Sequence, residues 1–265
     1  MAFEELKQRL SAAWSAAPFE NLEPDIAVMH DDLVQRLAPR PGERWLDVGC
    51  GPGAVAMRAA RAGADVTGLD LAPGLIETAR RRAEEEGLSI AYDVGDAEAL
   101  PYPDGSFDVV SSSVGVIFAP DHRAAASELA RVVTRPAGRL GVSAWRPDQG
   151  ICAMFKVMGE FQPPPPEGVG SPFDWGSEDY VIGLLGDAFD LEFAEGDAPH
   201  LGDSGEQVWE RMRAYAGPAK MLHESLEPAR REELARRMAE FWEGFRTNGG
   251  ISQPRPYLLI LGTRR

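Results

Sequence analysis

Residues 44–56, RWLDVGCGPGAVA, decide the fold. A short apolar run empties here into glycines at alternate positions, the pattern of a buried strand that turns sharply into a helix. Gly49, Gly51 and Ala54 satisfy the dinucleotide fingerprint G-x-G-x-x-G/A, while Gly49, Gly51 and Gly53 satisfy a tighter G-x-G-x-G. Missing Cβ atoms let a ligand approach the backbone of such a loop closely. Taken alone, the loop leaves two occupants open: a nicotinamide nucleotide, or an adenosyl ligand of another kind.

The flanking sequence repeats the strand–helix rhythm as far as Trp145. Strands are expected at RWLDV (44–48), ADVTGLD (64–70), LSIAYDV (88–94), FDVVSSSVG (107–115) and GRLGVSAW (138–145). Helices are expected at 54–63, at 73–87 with Pro73 in the first turn and Gly87 at the end, and at 121–133 behind an Asp121 cap. Strands separated in this way pair in parallel through right-handed crossovers, which gives an α/β, Rossmann-like, doubly wound sheet. Beyond Trp145 the rhythm breaks. A helical stretch at 149–161 leads into a connector with four consecutive prolines, Pro163 to Pro166, an extended spacer. Helices follow at 177–189, 204–217 and 227–245, with strands at 189–198 and 256–264. The chain thus divides into amino-terminal helices (1–43), a core (44–149), a helical cap or substrate region contributing one strand (150–250) and a terminal strand returning to the sheet (251–265).

The chain has 265 residues, 44% of them hydrophobic and 26% charged, and a formal net charge of −15. That is ample for one large α/β domain. The acidic balance argues against a nucleic-acid partner, whose phosphates need Lys and Arg, and against an anionic membrane surface. No stretch reaches the ~18 apolar residues of a membrane span. Two cysteines, Cys50 and Cys152, build neither a disulfide framework nor a zinc spacing. The amino terminus, MAFEELKQRLSAAW, reads as an amphipathic helix rather than a signal peptide. A cytoplasmic protein is expected; its oligomeric state is left open.

In open α/β sheets, ligands bind outside the carboxyl ends of the strands, so the residues that follow each strand carry the site. Asp70, 19 positions beyond Gly51, can accept from both ribose hydroxyls of an adenosine; as a helix cap before Pro73 it would be purely structural. Asp47 either orients a ligand's amino end or satisfies backbone donors in the turn. Three features favour an adenosyl sulfonium over a pyrophosphate. Pro52 removes one N–H from the turn, and the first cation, Arg58, lies at least one turn into the helix, whereas a pyrophosphate wants free N–H groups and positive charge there. Asp96 after the third strand is placed to accept from an adenine amino group, with the Ala97 N–H facing a ring nitrogen. No Tyr-x-x-x-Lys pair follows the fourth strand.

The segments LDVGCGPG, GLDLAPGLIETAR, GDAEALPYPDGSFDVV and RVVTRPAGRLGVSAW resemble, in order and spacing, the motifs of class I S-adenosylmethionine-dependent methyltransferases. The likeness is strongest to the small-molecule branch that includes ubiquinone- and menaquinone-biosynthesis-type enzymes. It covers residues 44–145 and implies seven strands in the order 3-2-1-4-5-7-6, the last antiparallel, with a helical cap inserted after the fifth. It further implies that Gly49, Cys50, Gly51 and Gly53 pack against the methionine part and ribose, with Asp47 behind them. Asp70 would hold the ribose hydroxyls, Leu71 would line the adenine slot, and Asp96 and Ala97 would read the adenine edge. Ser112 and Ser113 would sit beside the transferring methyl, and Trp14 would close over the cofactor. The turn RPAG stands where relatives commonly read R-P-G-G; Ala137 lies far from the chemistry.

Methyl transfer is an in-line displacement in which orientation alone contributes ~7–11 kcal/mol and a positioned base adds roughly 10²–10⁴-fold. Of the four histidines, His122 is the candidate base, since it lies beyond the fourth strand; an exposed first-turn histidine is the plain alternative. His200 and His223 fall in the cap, and His30 reads as structural. Tyr215 could orient a substrate. Phe155, Met158, Phe161, Phe173, Trp175, Trp209 and Met212 offer either an apolar pocket or cap core. The expected function is methylation of a small apolar or aromatic acceptor, with no metal. A nicotinamide-dependent oxidoreductase and a non-methylating S-adenosylmethionine-binding protein are the alternatives.

Overall fold

The computed structural model describes residues 3–147 and 150–265. The chain begins with α1 (Glu4–Ser15), a 3₁₀ turn (Phe19–Ile26) and α2 (Ala27–Leu37). The core then runs β1 (Arg44–Val48), α3 (Ala54–Arg61), β2 (Asp65–Asp70), α4 (Pro73–Glu85), β3 (Ile90–Val94), β4 (Val109–Ser113), α5 (His122–Val132) and β5 (Arg139–Trp145). Next come α6 (Ile151–Gly159), α7 (Glu178–Leu185), β6 (Phe189–Asp197), β7 (His200–Gly202), α8 (Gly205–Tyr215), α9 (Gly217–Ser225) and α10 (Pro228–Glu243). The chain closes with β8 (Arg246–Thr247), β9 (Gly250–Gln253) and β10 (Pro256–Arg264).

Seven strands form one sheet in the order β3-β2-β1-β4-β5-β10-β6. The first five are parallel, and β10 runs antiparallel to both β5 and β6. This is the expected topology. The burial of β1 follows from its position: β2 and β4 flank it, so Trp45 to Val48 are all buried, Asp47 included. Tyr257 to Ile260 of β10 are buried in the same way. Each large apolar side chain sealed in this layer contributes about 1.5–3 kcal/mol. Helix starts follow local chemistry: Pro73 occupies the first turn of α4, and the Asp121 carboxylate accepts from the N–H groups of Arg123 and Ala124, both at 3.0 Å.

The cap differs from its sequence reading. It carries α9 and a second, three-stranded sheet in the order β7-β9-β8, neither of which was expected. The carboxyl-terminal segment is divided as well: β9 belongs to the small sheet and only β10 joins the large one. Strands of two to four residues are too short to show an alternating pattern, so their existence rests on pairing partners distant in sequence. The cap also has its own core, in which Trp209, Leu234, Met238 and Trp242 meet Met154 and Met158 of α6. Among the described residues no helix is long and apolar enough to cross a membrane.

Candidate active site

The carboxyl ends of β1, β2, β4 and β5, with the turn after β3, open into a cavity of about 280 Å³. Its walls come from α1, the 3₁₀ turn, α2, α6 and the junction of α8 with α9. The glycine loop forms the floor, and its three glycines do different work. Gly49 (φ +65°) faces backbone: a Cβ there would lie 2.7 Å from Cα of Gly115, in the loop after β4. Gly51 (φ +53°) lines the cavity and has open space where a Cβ would stand. Gly53 (φ +88°) lies outside the lining, because a Cβ there would meet the Tyr92 hydroxyl at 2.5 Å. Cys50 lines the cavity, and burial drives its thiol pKa well up.

Three carboxylates, Asp47 and Asp70 within the last residues of β1 and β2 and Asp96 two residues beyond β3, line the cavity. Asp47 is sealed; it accepts from Ser111 Oγ at 2.8 Å, and Trp45 Nε1 donates to that same oxygen at 2.8 Å. Burial pushes the Asp47 carboxyl up to about 7, against its bonds from Ser111 and the Ala56 N–H, and the nearby Asp70 charge adds to the rise. Asp70 accepts from Gly51 N and Ala72 N, both at 2.8 Å, so it closes the turn and fixes the glycine loop at once. The Leu71 N–H adds a third backbone bond to this carboxylate. Its pKa is raised, burial outweighing those backbone bonds. Asp96 accepts from Glu98 N at 2.9 Å and from Lys7 Nζ at 2.6 Å. Leu71 and Ala97 lie beside these carboxylates on the wall.

At the end of β4 the two serines diverge. Ser113 lines the cavity and its Oγ lies 2.8 Å from Ser143 Oγ. Ser112 points into the core, where its Oγ accepts from Val116 N at 2.8 Å. Between Ser113 and Gly115, Val114 adopts φ +53°, a conformation that β-branched residues rarely take.

His122 does not reach the cavity. It is neither exposed nor poised as a base: its ring is buried, Nδ1 is 2.8 Å from the Tyr180 hydroxyl and Nε2 is 3.2 Å from the Ile117 carbonyl oxygen. Trp175 packs edge-on against it and Gly170 lies flush with the ring. Burial lowers its pKa. Phe118 to Pro120 stay on the cavity wall while the His122 ring turns to Trp175 and Tyr180, which position in the chain alone does not show.

The sequence reading missed six polar lining residues, namely Lys7, Glu23, Asp25, His30, Gln162 and Arg255. Lys7 is buried between Asp96 and Glu98, which ties α1 over the turn after β3. Burial pulls its pKa down, but the two acidic partners more than offset this and the net shift is upward. His30 is buried on α2 with Nδ1 unpaired; burial, aided by the Arg58 charge, lowers it to about 4, so it is a neutral imidazole. No motif marks these residues, because they come from segments far apart in the chain. Trp14 does line the cavity, in contact with Phe19 and Phe118 at ring separations of 5.5 and 5.2 Å. Of the cap side chains, Phe155, Met158 and Met212 line it. Phe161, Trp209 and Trp175 are core, and Phe173 and Tyr215 pack at the core margins. His200 is buried beside Asp25, 3.5 Å away, and His223 packs on Trp209.

Comparison with known proteins gives a consistent picture. The methyltransferase domain family matches residues 46–142. An uncharacterized protein of Mycobacterium tuberculosis is 40% identical over 171 residues, which cover 62% of this chain and 62% of that protein's length. A nocamycin O-methyltransferase of Saccharothrix syringae is 39% identical over 139 residues, 51% of this chain and 48% of that enzyme. In three dimensions the YcgJ protein of Bacillus subtilis superposes with a TM-score of 0.62, covering 92% of this chain and 99% of the other at 21% identity, a likeness of fold.

Proposed function

We propose that the protein, whose residues 46–142 match the methyltransferase domain family and whose seven strands take the class I order, is an S-adenosylmethionine-dependent methyltransferase of small molecules. The observation that carries this reading is the charge of the cavity wall. Glu23, Asp25, Asp47, Asp70 and Asp96 all line it, while the Arg58 guanidinium, in the last turn of α3, is turned to Asp31, Glu23 and the Ala54 carbonyl oxygen. Carboxylates suit a sulfonium and repel a pyrophosphate, whose usual helix N-terminus is here without a free cation among the described residues.

The residues present fit that cofactor. Gly51 lines the cavity and has open space where a Cβ would stand, and Asp70 would accept from the ribose hydroxyls. Leu71 and Ala97 would flank the adenine and Asp96 would accept from its amino group. Gly49, Cys50, Gly51, Asp47 and Ser113 would surround the amino-acid part. Gly53 and Ser112 hold the loops from behind. When bound, the sulfonium supplies an activated methyl group. The chain's own contribution is alignment and exclusion of water: Trp14 and Phe118 close one side, and Phe155, Met158 and Met212 present an apolar wall that suits an apolar or aromatic acceptor. No chemical step is proposed for His122.

Thermal unfolding with S-adenosylhomocysteine and, separately, with NADPH tests the cofactor. Stabilisation by the first alone is expected, and a response only to NADPH overturns the reading. Transfer of labelled methyl from S-adenosylmethionine to a panel of phenols, quinones, amines and acids tests turnover; cofactor binding with no transfer to any of them would instead favour a non-methylating binder.

A further inference from the structure

At the β10 end of its edge, beside Asp25, the cavity holds a buried cation. Arg255 is only 5% exposed and stands just before β10, its guanidinium carbon 5.5 Å from the centre of the Trp145 ring; both residues line the cavity. Its Nε and Nη2 donate to the carbonyl oxygens of Ala198 and Asp25, each at 2.6 Å. Among the described residues Nη1 has no acceptor, and no carboxylate lies within ion-pair distance of the guanidinium. The two nearest acids are engaged elsewhere: Asp25 takes both its oxygens to Arg211, and Asp197 accepts from the backbone N–H of Arg255 at 2.7 Å. Lys7, the other cation on the wall, is already paired with Asp96 and Glu98. A buried charge without a counterion is costly unless something supplies one.

The position of Arg255 says what that something is. Asp70 ends β2, and β10 is four strands away in the sheet order, which at about 4.8 Å per strand is roughly 19 Å. Arg255 therefore lies beyond the strand ends assigned above to the adenosine and the amino-acid part. It sits instead against the start of α6, where a Cβ on Gly150 would be 3.2 Å from the Arg255 Cα. From that point α6 presents Ile151, Met154, Phe155 and Met158 to the cavity. An apolar wall ending in a guanidinium whose Nη1 has no acceptor among the described residues matches a molecule with an apolar body and one anionic oxygen, which Nη1 would meet in the guanidinium plane.

We propose that Arg255 is the specificity-determining residue of the acceptor end, and that the acceptor class is an apolar or aromatic molecule carrying a negatively charged oxygen. This rests on the function proposed above, and the test separates the two. Calorimetry on the full chain first measures S-adenosylhomocysteine binding, which reads the cofactor assignment by itself. The protein, with and without S-adenosylhomocysteine, is then titrated with three matched pairs: benzoate and benzamide, 2-naphthoate and 2-naphthamide, decanoate and decanamide. At least one acid binds tenfold or more tightly than its amide, and Arg255→Gln removes that preference while S-adenosylhomocysteine affinity stays within twofold. If no acid is preferred over its amide in the unmodified protein, the proposal is wrong, whatever the variant does. If Arg255→Gln instead weakens S-adenosylhomocysteine tenfold and leaves an acid preference intact, Arg255 serves the cofactor's carboxylate and the proposal also falls. Arg255→Lys, which keeps the charge but loses the planar fork, retains part of the preference.

Discussion

Gly49 and Gly115 meet backbone to backbone: a Cβ on the first would stand 2.7 Å from Cα of the second, and a Cβ on the second 2.7 Å from the carbonyl oxygen of the first. This contact locks the loop after β1 to the loop after β4, and so sets the floor of the cavity. Gly51, two residues on, touches nothing on its open side. One motif therefore contains a packing glycine and a ligand glycine, and the two respond differently to alanine. Gly49→Ala forces backbone apart and loses about 3 kcal/mol or more of stability. Gly51→Ala loses only the ~1–2 kcal/mol of a left-handed alanine but weakens S-adenosylhomocysteine binding at least tenfold. Urea unfolding and calorimetry on both variants check this; equal stability losses would contradict it.

His122 is predicted to matter for folding and not for chemistry. Its ring bridges Tyr180 and the Ile117 carbonyl oxygen away from the cavity. His122→Ala loses about 2–4 kcal/mol through the void it leaves, and Tyr180→Phe about 0.5–1.5 kcal/mol. Both variants bind S-adenosylhomocysteine within twofold of the parent. A tenfold loss of affinity at unchanged stability would return His122 to the site.

Asp47 makes stability fall as pH rises. Its carboxyl has a native pKa raised to about 7 by burial, against an unfolded value near 3.9. Between these values the unfolded chain releases a proton that the native state retains, so the stability this group contributes is full below about pH 4 and is lost as pH climbs through 7. Asp47→Asn keeps an acceptor for Ser111 Oγ without the charge. Its melting temperature relative to the parent should rise steadily from pH 4.5 to 7.5, by an amount equivalent to up to about 4 kcal/mol. A difference that stays flat across that range would show that the carboxyl is ionised throughout.

Ala137 sits at φ +70°, in the turn where resemblance leads one to expect glycine. An L-residue there costs about 1–2 kcal/mol. Ala137→Gly should therefore raise the unfolding free energy by about 1 kcal/mol, less the extra entropy of the unfolded glycine. It should leave S-adenosylhomocysteine affinity unchanged, since Ala137 is outside the cavity. A destabilised variant would place the turn's preference elsewhere.

The legible parts of the site were those at or just beyond the carboxyl end of a strand. Asp47, Gly49, Gly51, Asp70, Leu71, Asp96, Ala97 and Ser113 come together at the cavity because strand, turn and helix signals are local, and strand ends share one edge of a parallel sheet. The same reasoning misjudged His122, since the direction of a helix after its turn depends on what it packs against. It could not separate Gly53 from Gly51, whose difference lies in Tyr92 arriving from β3. Nor could it divide the cap aromatics: Trp209 and Met212 are three residues apart on α8, yet the first is cap core and the second faces the cavity.

The sequence by itself determined the seven-stranded sheet, the edge at which a ligand binds and the acidic side chains that rim it, because periodicity and turn chemistry act over a few residues. Only the tertiary structure decided what closes that edge. Lys7 from α1, His30 from α2 and Arg255 from the approach to β10 reach one cavity through contacts between segments up to 248 positions apart, and no local pattern encodes such convergence. Burial then sets their chemistry: it leaves His30 neutral, buries Lys7 between two acids and leaves Arg255 with an Nη1 that has no acceptor among the described residues.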